Sequence, residues 1–259
     1  MVLTVDVGNT NIVLSVFKDD KVVFTSRIAT EVSKMEDQYA IDLKNIISLY
    51  NCDNETFEGA IISSVVPAVV PALKSAIKKV LNVGAYVVGP GIKTGLNIRL
   101  GDPSELGADL VCGAIGALEK YSAPCVIIDM GTATTISAID KDGVFLGGSI
   151  CPGVVLSLEV LAKKTANLPH VKLDADSDIV IGTNTKDSII SGVVLGAASM
   201  LDGMIEKYRK VLGDEAVAIV TGGLANGIVK HCTAENIIVD SDVVSDGLYA
   251  IYKKNAKVK

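Results

Sequence analysis

At 259 residues, 49% of them apolar, the chain can bury a substantial core, which argues against a disordered protein. A net charge of −6, only 4% aromatic residues and no Trp argue against a nucleic-acid binder, which needs a basic face and often aromatic stacking platforms. The five cysteines and two histidines have neither the spacing of a disulfide framework nor that of a zinc site.

The charge-free runs of the chain are shorter than a membrane span of about 20 residues. They cover 59–73, 143–158 and 188–201, and the first two contain proline or several glycines. Unpaired cysteines are typical of a reducing compartment. We therefore expect a cytoplasmic protein that binds neither a membrane nor nucleic acid.

The first half of the chain begins with an apolar strand that ends in Asp6 and is followed by a tight turn, GNTN at 8–11. A second β-rich run, a turn at 18–20 and a third strand come next. Helices are predicted at 33–50 and 67–81, around a buried strand at 60–64. The sequence DPSE at 102–105 has the N-cap, N1 proline and N3 glutamate of a helix start, which would place Asp109 a turn further along that helix.

The second half of the chain repeats the first. At a constant offset, Asp6 aligns with Asp129, Gly8 with Gly131, and the later turn at Lys18 with that at Lys141. Helices are then predicted at 154–167 and 188–212, the second of which ends at Gly213, and a strand at 217–221. A duplication of this length predicts two α/β domains, 1–117 and 118–259.

Two segments allow a prediction about the surface. The helix at 188–212 carries small residues at helical spacing, which would let another helix approach closely: Gly192, Gly196, Ser199 and Gly203. This face is a candidate subunit interface, and packing on the sheet of the same chain fits the pattern equally. The basic residues of 253–259 are expected to form a solvated terminus.

The two Asp-x-Gly turns together predict a phosphate site, although a single one would be read as an ordinary turn. Each glycine allows backbone N–H groups to approach an anion, and each aspartate can hold a cation that contacts a phosphate. The pair Gly222-Gly223 after the last strand would admit a base or ribose. No P-loop or Rossmann signature is present. Amide and hydroxyl groups flank the aspartates at Asn9, Thr10, Asn11, Thr132, Thr134 and Thr135.

Taken together, these motifs resemble those of the sugar-kinase/actin superfamily and, within it, of the type III pantothenate kinases. The resemblance implies duplicated ribonuclease-H-like domains with mixed sheets and a cleft between them. It also implies the ATP-dependent phosphorylation of pantothenate to 4′-phosphopantothenate, the first step of coenzyme A biosynthesis. The matching segments are DVGNTN (6–11), VGPGIKTGLNI (88–98), ELGAD (105–109), IDMGTATT (128–135), GGSICPG (147–153), TANLP (165–169), IGTNT (181–185) and TGGLA (221–225).

The same resemblance implies a role for each candidate residue of the nucleotide site. Asp129 matches the ligand of an activating monovalent cation, K⁺ or NH₄⁺, and Thr132 matches a phosphate contact beside Gly131. The late pair Gly222 and Gly223 matches a nucleotide contact. The loop that holds the ATP phosphates and Mg²⁺ is matched by Asp6, Gly8, Asn9, Thr10 and Asn11.

On the acceptor side, Asp109 matches the general base, and Gly107, Ala108 and Thr185 match a pantothenate site that is completed across a homodimer. Two positions depart from the family: Leu100 stands where a tyrosine is usual, and Leu110 where an arginine usually binds the carboxylate of the acceptor. A lost hydrogen bond to a charged group costs roughly 1.5–3 kcal/mol, or about 10- to 100-fold in affinity.

These departures leave two alternatives to a pantothenate kinase. One is a kinase of the same fold that acts on a different, less anionic small molecule. The other is a nucleotide-binding regulator or pseudoenzyme, against which the presence of Asp6, Asp109, Asp129 and Thr132 argues.

Overall fold

The computed structural model describes residues 1–256, which form two compact units. The first unit comprises Met1–Leu96, Asp102–Glu119 and the described residues from Val243 onward, and the second comprises Asn97–Gly101 and Lys120–Asp242. The prediction divides the chain at 117/118. The crossing from Glu119 to Lys120 is close to this boundary, whereas Asn97–Gly101 already belongs to the second unit. The last helix packs in the first unit, because its partners are the first strands of the chain.

The described residues contain strands β1 (Val2–Val7), β2 (Asn11–Lys18), β3 (Lys21–Ala29), β4 (Gly59–Ser64), β5 (Ala85–Val87), β6 (Asn97–Ile98), β7 (Cys125–Met130), β8 (Ala133–Ile139), β9 (Val144–Pro152), β10 (Val217–Thr221) and β11 (Ile237–Val239). Their α-helices are α1 (Glu36–Leu49), α2 (Val70–Leu81), α3 (Ala108–Lys120), α4 (Val154–Lys164), α5 (Thr185–Leu212), α6 (Ala225–Val229) and α7 (Val243–Ala256). Short 3₁₀ helices lie at Pro67–Val69 and Pro103–Glu105.

The first unit is built on a five-stranded mixed sheet of order β3-β2-β1-β4-β5. Alternate residues of β1 serve the two faces of this sheet. Leu3, Val5 and Val7 pack in one core with residues of α1 and α2. Val2 packs on the opposite face, in a core that contains Cys112 of α3 and Leu248 of α7.

The last helix, α7, was not predicted, and its end is formed by residues 253–256 of the predicted basic terminus, which are partly buried or exposed. Tyr249 stacks on Phe17 with ring centroids 4.4 Å apart, and the Ser245 hydroxyl lies 3.0 Å from that of Ser15. Lys253 at the end of the helix donates to Asp20 at 2.7 Å. Residues 257–259 of the predicted tail lie outside the described residues.

The second unit has a six-stranded mixed sheet of order β11-β10-β7-β8-β9-β6. Helix α5 covers one of its faces, and Val194, Leu201 and Ile205 of this helix are fully buried against residues of β7 and β10. The helix begins at Thr185 and ends, as predicted, before Gly213, whose φ is +109°.

Helix α5 alone, among the described residues, is long and apolar enough to cross a membrane. Its 28 residues extend beyond the charge-free run at 188–201, which alone is shorter than a membrane span. A helix in the core of a globular domain has the same length and composition, and the buried side of α5 is such a core face.

The duplication is present in both sheets. Strands β1 and β7 show the same pattern of burial, with a half-buried aspartate next to last, and each forms an antiparallel hairpin with the strand that follows it. The constant offset between the halves is wrong after the first turn. Val7 pairs with Ile12, whereas Met130 pairs with Thr134, so the first turn contains one residue more.

Candidate functional site

The first Asp-x-Gly turn joins β1 to β2 in the first unit. The Gly8 N–H donates to the Asn11 carbonyl at 2.9 Å and closes the turn. The Asn9, Thr10 and Asn11 residues are exposed, as expected of a loop that is open to a ligand. Asp6 is half-buried, two residues before the glycine.

Asp6 lies on the face of the sheet that α3 covers. Val2 and Asp6 point to the same side of β1, and Val2 shares a core with Cys112 of α3. In the parallel register of β1 and β4, Asp6 pairs with Ser63, which is fully buried. The aspartate of the first turn is therefore placed beside α3, the helix that carries Asp109.

The pKa of the Cys112 thiol is affected by the carboxylates of both Asp6 and Asp109. Cys112 is one turn after Asp109 on α3 and is 0% exposed. Burial raises the pKa of this thiol well above its ordinary value, and the charges of Asp6 and, to a lesser extent, Asp109 raise the pKa further. Asp6 of the predicted nucleotide loop and the predicted base Asp109 thus both lie in the first unit, on β1 and on α3.

Asp109 occupies the first turn of α3, which differs from the prediction. The motif at 102–105 forms a separate 3₁₀ turn, in which Asp102 accepts from the Ser104 N–H at 2.9 Å. Leu106 is extended, so the chain leaves this turn before α3 begins. Asp109 therefore lies at the positive end of the helix, where a carboxylate is favoured.

The second Asp-x-Gly turn joins β7 to β8 in the second unit. Gly131 and Thr132 are exposed, and Asp129 is half-buried opposite Thr221 of the parallel strand β10. Gly222 follows that strand with φ +99°, and a Cβ at this position would lie 2.5 Å from the Met130 carbonyl oxygen. Only a glycine allows the two backbones to approach so closely. The predicted nucleotide residues of the second half are thus neighbours.

Helix α4 follows the prediction of a helix at 154–167, but its position directly behind this second turn was not predicted. The Gly153 N–H donates to the Thr132 carbonyl at 3.1 Å. A Cβ on Gly153 would overlap the carbonyl oxygens of Gly131 and Thr132. The N-terminus of an 11-residue helix, with its unpaired N–H groups and positive dipole end, is therefore held against the proposed phosphate turn. In the sequence, this close approach is indicated only by Gly153, the last residue of GGSICPG, since no rule for local turns requires a glycine there.

The remaining candidate residues differ in their surroundings. Leu110 is half-buried on α3, and Thr185 is exposed at the first residue of α5. Leu100 packs beside Gly147 of β9. Arg99, the cationic residue next to Leu100 in the chain, lies with its guanidinium 3.9 Å from the Asp140 carboxylate. Asp140 follows β8, at the end of that strand opposite to the Gly131–Thr132 turn. Within the second unit, Arg99 is thus directed away from that turn.

No cluster of three or more histidine, cysteine, aspartate or glutamate side chains that could hold a metal ion occurs in residues 1–256. A cation bound by Asp6 or Asp129 would therefore need oxygen ligands from other groups, such as amide and hydroxyl side chains, phosphates or water. The loop Asn9–Asn11 offers oxygens of this kind, and so do the threonines after Asp129.

Comparison with known proteins identifies the family of this chain. A model of the type III pantothenate kinase family matches residues 2–207. A type III pantothenate kinase of Exiguobacterium sp. is 42% identical over 99% of this chain and 100% of its own length. The enzyme of Halalkalibacterium halodurans is 40% identical over 98% of this chain and all of its own.

Solved structures with much lower identity share the fold. A Baf family transcriptional activator of Campylobacter jejuni superposes with a TM-score of 0.60 at 20% identity, over 99% of this chain and 100% of its own. Component A of (R)-2-hydroxyglutaryl-CoA dehydratase from Acidaminococcus fermentans has a TM-score of 0.57 at 17% identity, over 98% of both chains. These likenesses confirm the predicted α/β fold class of the sugar-kinase/actin type, and the family match and full-length identities show that the chain belongs to the type III pantothenate kinase family.

Proposed function

We propose that this chain transfers a phosphoryl group from ATP to pantothenate and forms 4′-phosphopantothenate in coenzyme A biosynthesis. The proposal is carried by one observation: α3, the helix that carries Asp109, covers the face of the first sheet toward which Asp6 points. A kinase needs a group that holds the metal–phosphate complex and a carboxylate that accepts the proton of the acceptor hydroxyl. Membership in the family supplies the identity of the substrates.

The nucleotide is assigned to both Asp-x-Gly turns. When bound, ATP supplies the phosphoryl group, and Mg²⁺ neutralises part of its charge. In the first unit Asp6 and the side-chain oxygens of Asn9, Thr10 and Asn11 fit the oxygen ligands that Mg²⁺ prefers. In the second unit we assign Gly131, Thr132, Gly222 and Gly223 to the nucleotide and Asp129 to a monovalent cation, K⁺ or NH₄⁺.

Asp109 is assigned as the base that accepts the hydroxyl proton of the acceptor. Gly107 and Ala108, directly before Asp109, are assigned to the pantothenate site, and Thr185 is assigned to the acceptor of the neighbouring subunit in a homodimer. Leu100 and Leu110 would line this acceptor site with apolar surface, so the carboxylate of pantothenate would receive no contact from either residue.

A second candidate function is favoured by these two leucines. A kinase of the same fold whose acceptor lacks a carboxylate would gain from burial against Leu110 and would lose nothing from the absence of an arginine. Pantothenate and its alcohol analogue, in which a hydroxymethyl group replaces the carboxylate, distinguish the two candidates.

The homodimer is supported by exposed apolar and glycine-rich surface on the second unit. Gly192, Gly196 and Ser199 are exposed on α5, and a Cβ on either glycine would meet no atom within 4 Å among the described residues. The sheet-packing alternative therefore does not apply to this face. Val180 and Ile181 are 72% and 82% exposed, and Val180 is held beside α5 by the Ser191 hydroxyl. We further propose that the enzyme acts in the cytoplasm.

The test is ADP release with Mg²⁺, K⁺ and ATP in the presence of pantothenate or its alcohol analogue. We expect turnover of pantothenate, and a fall in kcat of about 10²- to 10⁴-fold in Asp109→Asn, because a general base contributes about this much. The matched control is Asp102→Asn, an exposed carboxylate in the same segment whose capping role asparagine can keep.

Turnover of the alcohol analogue without turnover of pantothenate would favour the second candidate. Binding of ATP without turnover of either acceptor would contradict both and would indicate a regulator. Equal kcat in wild type and Asp109→Asn would remove Asp109 from the reaction while leaving the kinase in place.

A further inference from the structure

Thr30 binds the first Asp-x-Gly turn from outside the motif. This residue directly follows β3, and its hydroxyl Oγ1 donates to the Gly8 carbonyl at 2.7 Å. Its backbone N–H donates to the Thr10 carbonyl at 2.9 Å. One residue, 22 positions away in the chain, thus holds two of the carbonyl groups of the turn.

These two bonds determine the direction of the turn's N–H groups. A trans peptide is planar, so the N–H of each peptide points opposite to its C=O. The Gly8 carbonyl shares a peptide with the Asn9 N–H, and the Thr10 carbonyl shares one with the Asn11 N–H. Because Thr30 holds both carbonyls on its own side, both N–H groups are directed away from Thr30. An anion on the side opposite to Thr30 would therefore meet the N–H groups of these two peptides and not their carbonyl oxygens.

Thr30 is itself held by the core of the first unit. The Tyr39 hydroxyl on α1 donates to the carbonyl of Glu31, the next residue, at 2.9 Å. Tyr39 is 1% exposed and packs in the core between the sheet and the helices α1 and α2. The position of Thr30 therefore depends on a buried aromatic side chain, and the turn is connected through Thr30 to the core.

We propose that Thr30 is a positioning residue for the phosphates of ATP, acting through the carbonyls of Gly8 and Thr10. This role rests on the proposed function, because it requires that the first turn hold the phosphates. It assigns to the end of β3 a function that no motif in the sequence indicates.

The test compares Thr30→Val with Thr30→Ser. Valine keeps the size, the β-branch and the backbone N–H but removes the hydroxyl donor, whereas serine keeps the donor. In Thr30→Val we expect the KM for ATP and the Kd for ATP by calorimetry to rise about 3- to 10-fold, the effect of one hydrogen bond. The KM for pantothenate should stay within about 2-fold, and Thr30→Ser should restore the values for ATP.

Thr25→Val is the matched control, since it removes a hydroxyl from the same strand, where Thr25 lies 2.9 Å from the Ser15 hydroxyl, far from the turn. It should leave the KM for ATP unchanged. Should Thr30→Val lose its fold, Thr30→Ala provides the same comparison with Thr30→Ser. Equal ATP binding by wild type and Thr30→Val, or equal damage in the valine and serine variants, would overturn the positioning role alone. A wild type that neither binds ATP nor releases ADP would overturn the proposed function and this role with it.

Discussion

Asp109 depends on the glycine two residues before it. A Cβ on Gly107 would lie 2.5 Å from the Asp109 Oδ1, so the carboxylate occupies space that any other residue would need. The same oxygen accepts the Leu110 N–H at 2.9 Å, which fixes its direction. The absence of a side chain at Gly107 thus leaves room for the carboxylate of the proposed base.

We expect Gly107→Ala to reduce kcat by up to about 100-fold, because a displacement of a catalytic group by about 1 Å can cost this much. The thermal midpoint should change little, since the carboxylate that must move is the end of a flexible side chain. Gly101→Ala is the matched control, because its added methyl group would meet no described atom within 4 Å. Steady-state kinetics with pantothenate measure the effect, and a kcat equal to that of wild type would contradict it.

At this scale the sequence predicts which residue types form the site better than it predicts their local structure. The Asp-x-Gly turns, with their exposed polar residues, follow from the motif alone. The start of α3 at Ala108 does not, because the capping residues at 102–105 form a turn of their own and the extended Leu106 separates the two. Thr30 lies in no motif, and the motif that contains Gly153 does not show what this glycine contacts, since both residues contact backbone atoms that are distant in sequence.

Helices α3 and α7 pack backbone to backbone. A Cβ on Gly247 would overlap the Cys112 carbonyl, and a Cβ on Gly116 would overlap that of Val243. No side chain lies between them that could move aside. This contact places α3, and with it Asp109, against the same face of the sheet as Asp6.

Gly247→Ala should therefore lower the free energy of unfolding by about 1–3 kcal/mol, the usual cost of overpacking a core. Urea unfolding measures the change. The control is Gly84→Ala between α2 and β5, where the added methyl group would meet no described atom within 4 Å. It should leave the stability equal or raise it by about 0.4–1 kcal/mol. The contact would be of no importance if both variants unfolded at the same urea concentration as wild type.

The elements themselves differ in how far the sequence predicts them. The strands of the two hairpins follow from apolar runs bounded by turn residues, and helices α2 and α5 from their length and periodicity. Helix α7 lacks such a signal, because it ends in lysines and its packing partners, Ser15 and Phe17, lie more than 200 residues away. A local sequence pattern cannot reveal which side of α7 is buried, because that side is covered by strands from the beginning of the chain.

For the molecule as a whole, the duplication is evident in the sequence, whereas the assignment of chain segments to each unit is not. Two copies of a hairpin with a terminal aspartate predict two domains in succession. The chain instead completes its second unit at Asp242 and returns to the first with α7. Since α7 packs on strands of the first repeat, the second repeat does not account for the whole of the carboxy-terminal half. The predicted cleft between the two domains stays a prediction.

The proposed homodimer is also a property of the whole molecule. Gly196 lies exposed on α5, opposite the side that Val194 and Leu201 bury in the core. A second copy could approach this glycine closely, and an arginine there would prevent the approach without touching the core. We expect sedimentation to give the mass of two chains for wild type and of one chain for Gly196→Arg.

Val211→Arg is the matched control, because Val211 is 79% exposed in the last turn of the same helix, away from the glycines. It should remain a dimer. If the pantothenate site is completed by Thr185 of a neighbouring subunit, Gly196→Arg should also lose phosphorylation of pantothenate while it still binds ATP, since both Asp-x-Gly turns lie within one chain. A monomeric wild type, or a Gly196→Arg variant that remains dimeric, would contradict this interface. A monomeric variant with full activity would instead show that each chain holds a complete acceptor site.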